Sequence, residues 1–131
     1  RSLDFAGFMS RDKLQETYAG TDCLVFPSRI ETWGLPISEF LPYDRPMLLS
    51  DLPFAHETAA GASAVGFFDS SSAVALADAM ERVLQGDHTR LKPVPQRPLQ
   101  APSARSWSEL FELLLSDAGA TQPNSFTQPT P

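Results

Sequence analysis

The 131-residue sequence contains a single cysteine, Cys23. That excludes an internal disulfide framework and a cysteine-rich zinc site. It has no apolar run approaching the ~20 residues that a transmembrane helix needs. Arg1-Ser2-Leu3-Asp4 is neither a secretion signal nor a start methionine, so the chain is expected to begin inside a longer protein. Positive charge is scarce: Lys and Arg total 10 against 16 Asp and Glu, a net charge of −6. That balance argues against nucleic acid or an anionic membrane surface as the main partner. There is no Gly-x-Ser-x-Gly nucleophile elbow and no phosphate-binding Walker loop. His56-Glu57-Thr58-Ala59-Ala60 carries alanine where a zincin motif needs its second histidine. There is also no Asp-x-Asp. Apolar residues make up 42% and aromatics 10% of the chain, enough for a packed core in one domain.

Charge and proline are unevenly distributed. Residues 1–87 carry net −7, residues 88–106 net +4 with no acid, and residues 107–131 net −3 with no base. Five prolines fall in residues 1–92 and seven in residues 93–131. These breaks predict a packed α/β domain over 1–87, a basic Pro-rich connector over 88–105, a helix over 106–117 and a disordered tail over 118–131. The tail is polar and Pro-rich, and its single aromatic, Phe126, cannot offset the entropy of ordering it.

Within 1–87, short apolar runs alternate with helical periods. Leu3-Asp4-Phe5 reads as a short strand ending at Gly7. Ser10 is placed to cap a helix bearing Leu14 and Tyr18, which Gly20 closes. Cys23-Leu24-Val25-Phe26 and Met47-Leu48-Leu49 are continuous apolar runs, as strands covered on both faces should be. A helix starts near Leu35-Pro36, with proline in the first turn where its missing N–H does no harm. Asp51 is placed to cap the next helix, Phe54 to Ala60. Ala64 to Phe68 is a fourth strand, and Val74 to Leu84 has helical apolar spacing. Ser106-Trp107-Ser108-Glu109 is a capping box opening a last helix. The order βαβαβαβα predicts an α/β fold, a Rossmann-like parallel sheet with helices on both faces. Ligands of such sheets bind beyond the carboxyl ends of the strands.

One such end carries the informative stretch, Phe26-Pro27-Ser28-Arg29-Ile30-Glu31-Thr32-Trp33-Gly34-Leu35-Pro36-Ile37-Ser38-Glu39. A buried strand runs into a loop with a carboxylate, then a glycine, a helix start and a second carboxylate. Gly34 allows close approach of a ligand to the backbone. The N–H groups of the turn suit an anion. Glu31 and Glu39 would repel that anion directly, so they suit hydroxyls on either side of it. A phosphate centre with hydroxyls at both ends describes a nucleotide diphosphate sugar. By spacing alone, the rival reading is a pair of solvated surface charges.

This stretch resembles the Glu-x7-Glu signature of retaining GT-B glycosyltransferases of group 1, the GT4-like family. Four further pieces resemble it in the same order: Phe5 to Ser10 with Leu14 and Tyr18; Asp22 to Ser28; Arg45 to Pro53 with Glu57; and Phe67-Phe68-Asp69 with Leu76 and Ala77. Ser106-Trp107 resembles the family's late helix. The resemblance implies the C-terminal, donor-binding half of a GT-B fold, incomplete in this chain. It implies that Glu39 holds the ribose hydroxyls and that Glu31, the catalytic candidate, contacts the transferred sugar. Trp33, Gly34 and Leu35 would face the diphosphate or the sugar, and Gly7, Phe8 and Met9 would lie by the base. No cofactor and no metal are implied, and the donor is a nucleotide diphosphate sugar.

The implied partners are an N-terminal acceptor domain outside this chain and a membrane-associated glycan acceptor, either a polysaccharide or a lipid-linked glycan. The implied location is the cytoplasm, peripheral to the inner face of the membrane. The Arg and Lys that neutralise the leaving diphosphate in the family have no counterpart assigned by motif here, Arg29 included. The chain alone is therefore expected to be inactive. It also departs from the family in having Tyr43-Asp44-Arg45 where a glycine is usual. Two other readings stand beside this one: a non-catalytic α/β binding module, and a GT-B sugar-nucleotide epimerase or phosphorylase.

Overall fold

A computed structural model describes residues 3–96, 98, 102–104 and 106–119. It divides into two compact units, Arg1–Arg97 and Pro98–Pro131. In the first unit the elements run α1 (Arg11–Ala19), β1 (Leu24–Phe26), α2 (Leu35–Phe40), a 3-10 turn (Leu41–Tyr43), β2 (Met47–Ser50), α3 (Pro53–Thr58), β3 (Val65–Phe68) and α4 (Ala73–Leu84). The strands form a parallel sheet in the order β1-β2-β3. Leu24 pairs with Met47, and Met47 in turn with Val65.

Alternation along β2 sends its side chains to two faces. Met47 and Leu49 join Tyr18 of α1, Ile37 and Phe40 of α2, Ala55 of α3 and Val65 in one buried cluster. Leu48 faces the other way and lines a cavity of about 240 Å³ with Gly66 and with Ala75, Ala79 and Val83 of α4. Helices therefore cover both faces, as the continuous apolar strands require.

Local chemistry sets most of the boundaries. The Ser10 side chain accepts from the Lys13 N–H at the start of α1, and Gly20 closes that helix. Ser72 caps α4 through the Ala75 N–H at 3.1 Å. Asp44 occupies the left-handed region at φ 49°, ψ 45°. This is the turn where a glycine was expected. Aspartate tolerates that conformation better than most residues because its short side chain bonds locally. Arg45, next to it, donates to the Thr21 carbonyl at 2.7 Å and ties this turn to the start of β1.

Three expectations need revision. Leu3-Asp4-Phe5 is not a strand: residues 3–7 have no regular structure, and Leu3 and Phe5 are exposed. A strand covered on both faces has no place for Asp4 in the middle of a three-residue run. Asp51 does not cap α3. The helix begins at Pro53 with Leu52 at the cap position, one residue too late for Asp51, which pairs with His56 instead. The stretch 88–105, expected as a single connector, is divided between the two units. Lys92 bridges antiparallel to Val65 through two hydrogen bonds of 2.9 Å, and Val94 donates to the Ala62 carbonyl.

In the second unit, α5 (Trp107–Gly119) begins as the capping box predicts, with the Glu109 N–H donating to Ser106 Oγ at 3.2 Å. Trp107 and Phe111 lie one turn apart, with ring centroids 6.4 Å from each other. The expected tail falls on 120–131, outside the described residues, apart from Ala118 and Gly119, which belong to α5.

Candidate active site

The carboxyl ends of the three strands carry Pro27-Ser28-Arg29 after β1, Asp51 after β2 and Asp69 after β3. The loop that follows β1 is built from its own side chains. Ser28 Oγ donates to the Ile30 carbonyl at 3.2 Å and to Glu31 Oε1 at 3.0 Å. That bond orients Glu31, which is otherwise exposed. The Thr58 hydroxyl of α3 donates to the Trp33 carbonyl and fastens the far end of the loop to the buried cluster. The Trp33 side chain itself stays half in solvent, at 51% exposure.

Gly34 is the pivot. It sits at φ 79°, ψ 54°, at the cap position of α2, and it is buried. A Cβ there would lie 3.2 Å from Ile37 Cδ1 and 3.5 Å from the Phe54 ring. The left-handed backbone disfavours a side chain there, and the Ile37 methyl would have to give slightly to admit one. Because glycine caps α2, no side chain accepts from its first-turn N–H groups. Pro36 in that turn has no N–H to satisfy. With six residues, α2 contributes only part of a helix dipole, so any anion at this turn would depend on direct contacts with the N–H groups.

Glu39 lies in the last turn of α2 and is half-buried. Its carboxylate faces the hydroxyl of Tyr18. Burial chiefly, and then the Glu39 charge and its acceptance of a hydrogen bond, push the Tyr18 phenol pKa up. The two carboxylates are thus placed differently: Glu31 is held by a serine on an exposed loop, and Glu39 lies on a short helix whose Ile37 and Phe40 are buried.

Around this loop the strand ends carry further charge. Hydrogen bonds from Ser71 Oγ at 2.6 Å and the Ser71 N–H at 2.8 Å hold the Asp69 carboxyl below its usual range. The Arg29 charge adds a smaller effect in the same direction. His56 Nε2 lies 2.7 Å from Asp51 Oδ1, and its ring stacks on Phe67 with centroids 3.7 Å apart. Among the described residues no group of three or more His, Cys, Asp or Glu side chains is arranged to hold a metal ion. Cys23, half-buried beside β1, has its thiol pKa raised by burial.

Trp33, Gly34 and Leu35 form one continuous turn between the two glutamates, as the sequence predicts. Gly7, Phe8 and Met9 stand apart. Gly7 has a positive φ of 67° and Phe8 is fully exposed, at 101%. Met9 Sδ accepts from Thr17 Oγ1 at 3.7 Å, on α1. Among the described residues no hydrogen bond, ion pair or ring contact joins 7–9 to the loop 28–39. Sequence reasoning missed Ser28 and Thr58 as supports of the site. The Ser28–Glu31 spacing of a serine and a glutamate three apart was the one readable signal; Thr58 is distant in sequence from Trp33.

A parallel sheet with helices on both faces defines a Rossmann-like α/β domain. The family described as "Glycosyl transferases group 1" matches residues 1–97, and the chain belongs to that family. This carries a glycosyltransferase-type function. No curated protein and no solved structure matches the chain. Among the described residues no helix is long and apolar enough to cross a membrane.

Proposed function

We propose that this chain carries the donor site of a retaining, GT-B, GT4-like glycosyltransferase, in the C-terminal half of that fold. The donor is a nucleotide diphosphate sugar. Glu39 accepts hydrogen bonds from the ribose hydroxyls, and Glu31 contacts hydroxyls of the transferred sugar. The N–H groups of Trp33, Gly34 and Leu35 meet the diphosphate or sugar between them. Gly7, Phe8 and Met9 lie by the base. The observation that carries this reading is the left-handed turn at Gly34 beyond β1, which opens α2 with no side-chain cap and lies in the chain between Glu31, bound by Ser28, and Glu39. Developing negative charge on the leaving diphosphate is stabilised electrostatically by donors aimed at it. The acceptor is a glycan, and transfer requires a second wall that positions it and excludes water.

Titration with a nucleoside diphosphate, followed by NMR at the Gly34 and Leu35 amides, tests the site. Shifts at both amides are expected, with the monophosphate binding more weakly. Unchanged amides at millimolar ligand would overturn the reading. A hydrogen bond to a charged group contributes roughly 1.5–3 kcal/mol, so Glu39→Gln should weaken nucleoside diphosphate binding by about tenfold or more. Glu31→Gln should leave that binding intact and impair recognition of the sugar conjugate. Equal losses from both changes on the plain nucleotide would refute the division of roles.

A further inference from the structure

We infer that residues 91–95 form a strap that closes the β3 edge of the sheet to a further strand, with Pro93 and Pro95 making the closure. β3 is an edge strand, and its sequence Val65-Gly66-Phe67-Phe68 is apolar and uncharged. Such an edge is a template on which another chain can pair. Ala64 and Phe68 turn their carbonyls toward β2 and its end, accepting from the N–H groups of Met47 and Asp51. Alternation therefore aims the backbone groups of Val65 and Phe67 outward. The strap takes up Val65, which exchanges two hydrogen bonds of 2.9 Å with Lys92 in an antiparallel bridge. Val94 continues the contact, donating to the Ala62 carbonyl and accepting from the Gly61 N–H, both at 2.9 Å. Side chains seat the strap as well. Val94 packs against the buried cluster, and Leu91 lies where a Cβ on Gly66 would come within 3.1 Å of it.

An ordinary strand in this place would become the new edge. In an antiparallel pair, residues bonded to the partner alternate with residues whose N–H and C=O point away. Lys92 and Val94 bond inward, so Leu91, Pro93 and Pro95 hold the outward positions. The Leu91 N–H is already used, donating to the His88 carbonyl at 3.0 Å. Pro93 and Pro95 have no N–H. The outer side of the strap thus offers carbonyls but no donor, and an added strand would leave its own carbonyls unpaired. Both prolines are exposed, so packing does not account for their placement. The Lys92 side chain is exposed too, and it sets a charge in the path of an incoming strand. The occupant that this device excludes is a second copy of the chain, whose β3 carries the same apolar run.

The test adds the two missing donors to the whole chain. Pro93→Thr with Pro95→Thr restores both N–H groups and keeps the residues compatible with a strand. Pro98→Thr with Pro102→Thr, beyond the strap, controls for the loss of two prolines. Apparent mass is read by analytical ultracentrifugation across a concentration series, and amide exchange by NMR. The strap variant should shift toward the mass of a dimer as concentration rises, beyond the parent chain and the control. The two amides it introduces should become protected from exchange over the same range. Equal masses for all three chains overturn the inference. Association with the new amides still exchanging freely also overturns it, because the contact then forms elsewhere. Melting temperature separates strand pairing from unfolding. If the double variant does not fold, Pro93→Thr and Pro95→Thr are made singly and read in the same way, with one new amide each.

Discussion

On the face of the sheet that carries Met47 and Leu49, α1, α2 and α3 contribute Tyr18, Ile37, Phe40, Ala55 and Ala59 to a closed core. On the opposite face α4 buries no residue completely; Val74 is 79% exposed and Leu84 85%. The strand between is the same, and Leu48 is as well buried as its neighbours. The difference lies in the size of the groups that meet it. Two rings, Tyr18 and Phe40, and a branched aliphatic, Ile37, fill one side. Ala75 and Ala79 of α4 border a cavity of about 240 Å³ on the other. Its rim is ionic: Arg82 binds Asp78 and Asp87 at 3.1 and 2.8 Å. The candidate site hangs from the closed face, since the Trp33 carbonyl is fastened to Thr58 of α3 and Glu39 rides on α2, whose Ile37 and Phe40 are buried there. A site that must hold a geometry gains from rigid support, and α4 offers less of it.

The sharpest break of this comparison is truncation on each face. Phe40→Ala should cost about 3–5 kcal/mol, because a fully buried ring loses contacts with Tyr18 and Tyr43. Met80→Ala on α4, where the side chain is 41% exposed, should cost less than about 1 kcal/mol. Denaturant unfolding followed by Trp33 fluorescence in a Trp107→Phe background reads both, and similar losses would mean that α4 is as tightly packed as α2.

A smaller effect is expected at the pivot. Gly34→Ala should destabilise by about 1–2 kcal/mol, from the left-handed backbone and the Ile37 contact at 3.2 Å. The amides of Trp33 and Leu35 should shift with it. Neutral behaviour in the same unfolding assay would show that the turn relaxes freely.

On the α4 side of β2, Ser50 Oγ is fully buried with no hydrogen-bond partner among the described residues. An unmet buried hydroxyl is costly, so Ser50→Ala should raise stability by about 1 kcal/mol. A loss instead would reveal a bond that this hydroxyl makes in solution.

The mildest test is acid. The Asp87 carboxyl is held below its usual range by the Thr89 hydroxyl and N–H, with Arg82 adding to the effect, and Asp69 is held low by Ser71. A carboxyl whose pKa is lower in the folded than in the unfolded chain favours folding above its unfolded value, about pH 4. That contribution disappears as pH falls through the folded value. Asp87→Asn should therefore narrow the loss of stability below pH 4, measured by melting temperature against pH. An unchanged slope would show that Asp87 adds nothing in acid.

Much of this architecture was readable before any coordinates. The apolar runs at Leu24–Phe26 and Met47–Leu49 read as strands, though only the second is buried throughout and the first is half-buried at the sheet edge, and the Ser10 and Ser106 caps announced their helices, because these signals lie within four residues of one another. Glu31, Gly34 and Glu39 were likewise visible as a pattern along one stretch. Leu3-Asp4-Phe5 shows the limit. Its local pattern suits a strand, yet a strand exists only through pairing with another, and none pairs with it among the described residues. Lys92 shows the converse: within a basic, Pro-rich stretch it pairs with Val65, which no local rule anticipates.

The sequence by itself determined the alternation of elements, the left-handed turn at Gly34 and the carboxylates on either side of it, since each depends on covalent geometry and near neighbours. Only the tertiary structure decided that Tyr18 packs edge-on against Phe40, that Thr58 anchors Trp33, and that one face of the sheet is closed while the other retains a cavity. Those facts depend on contacts far apart in the chain, and packing, not local preference, selects which distant groups meet.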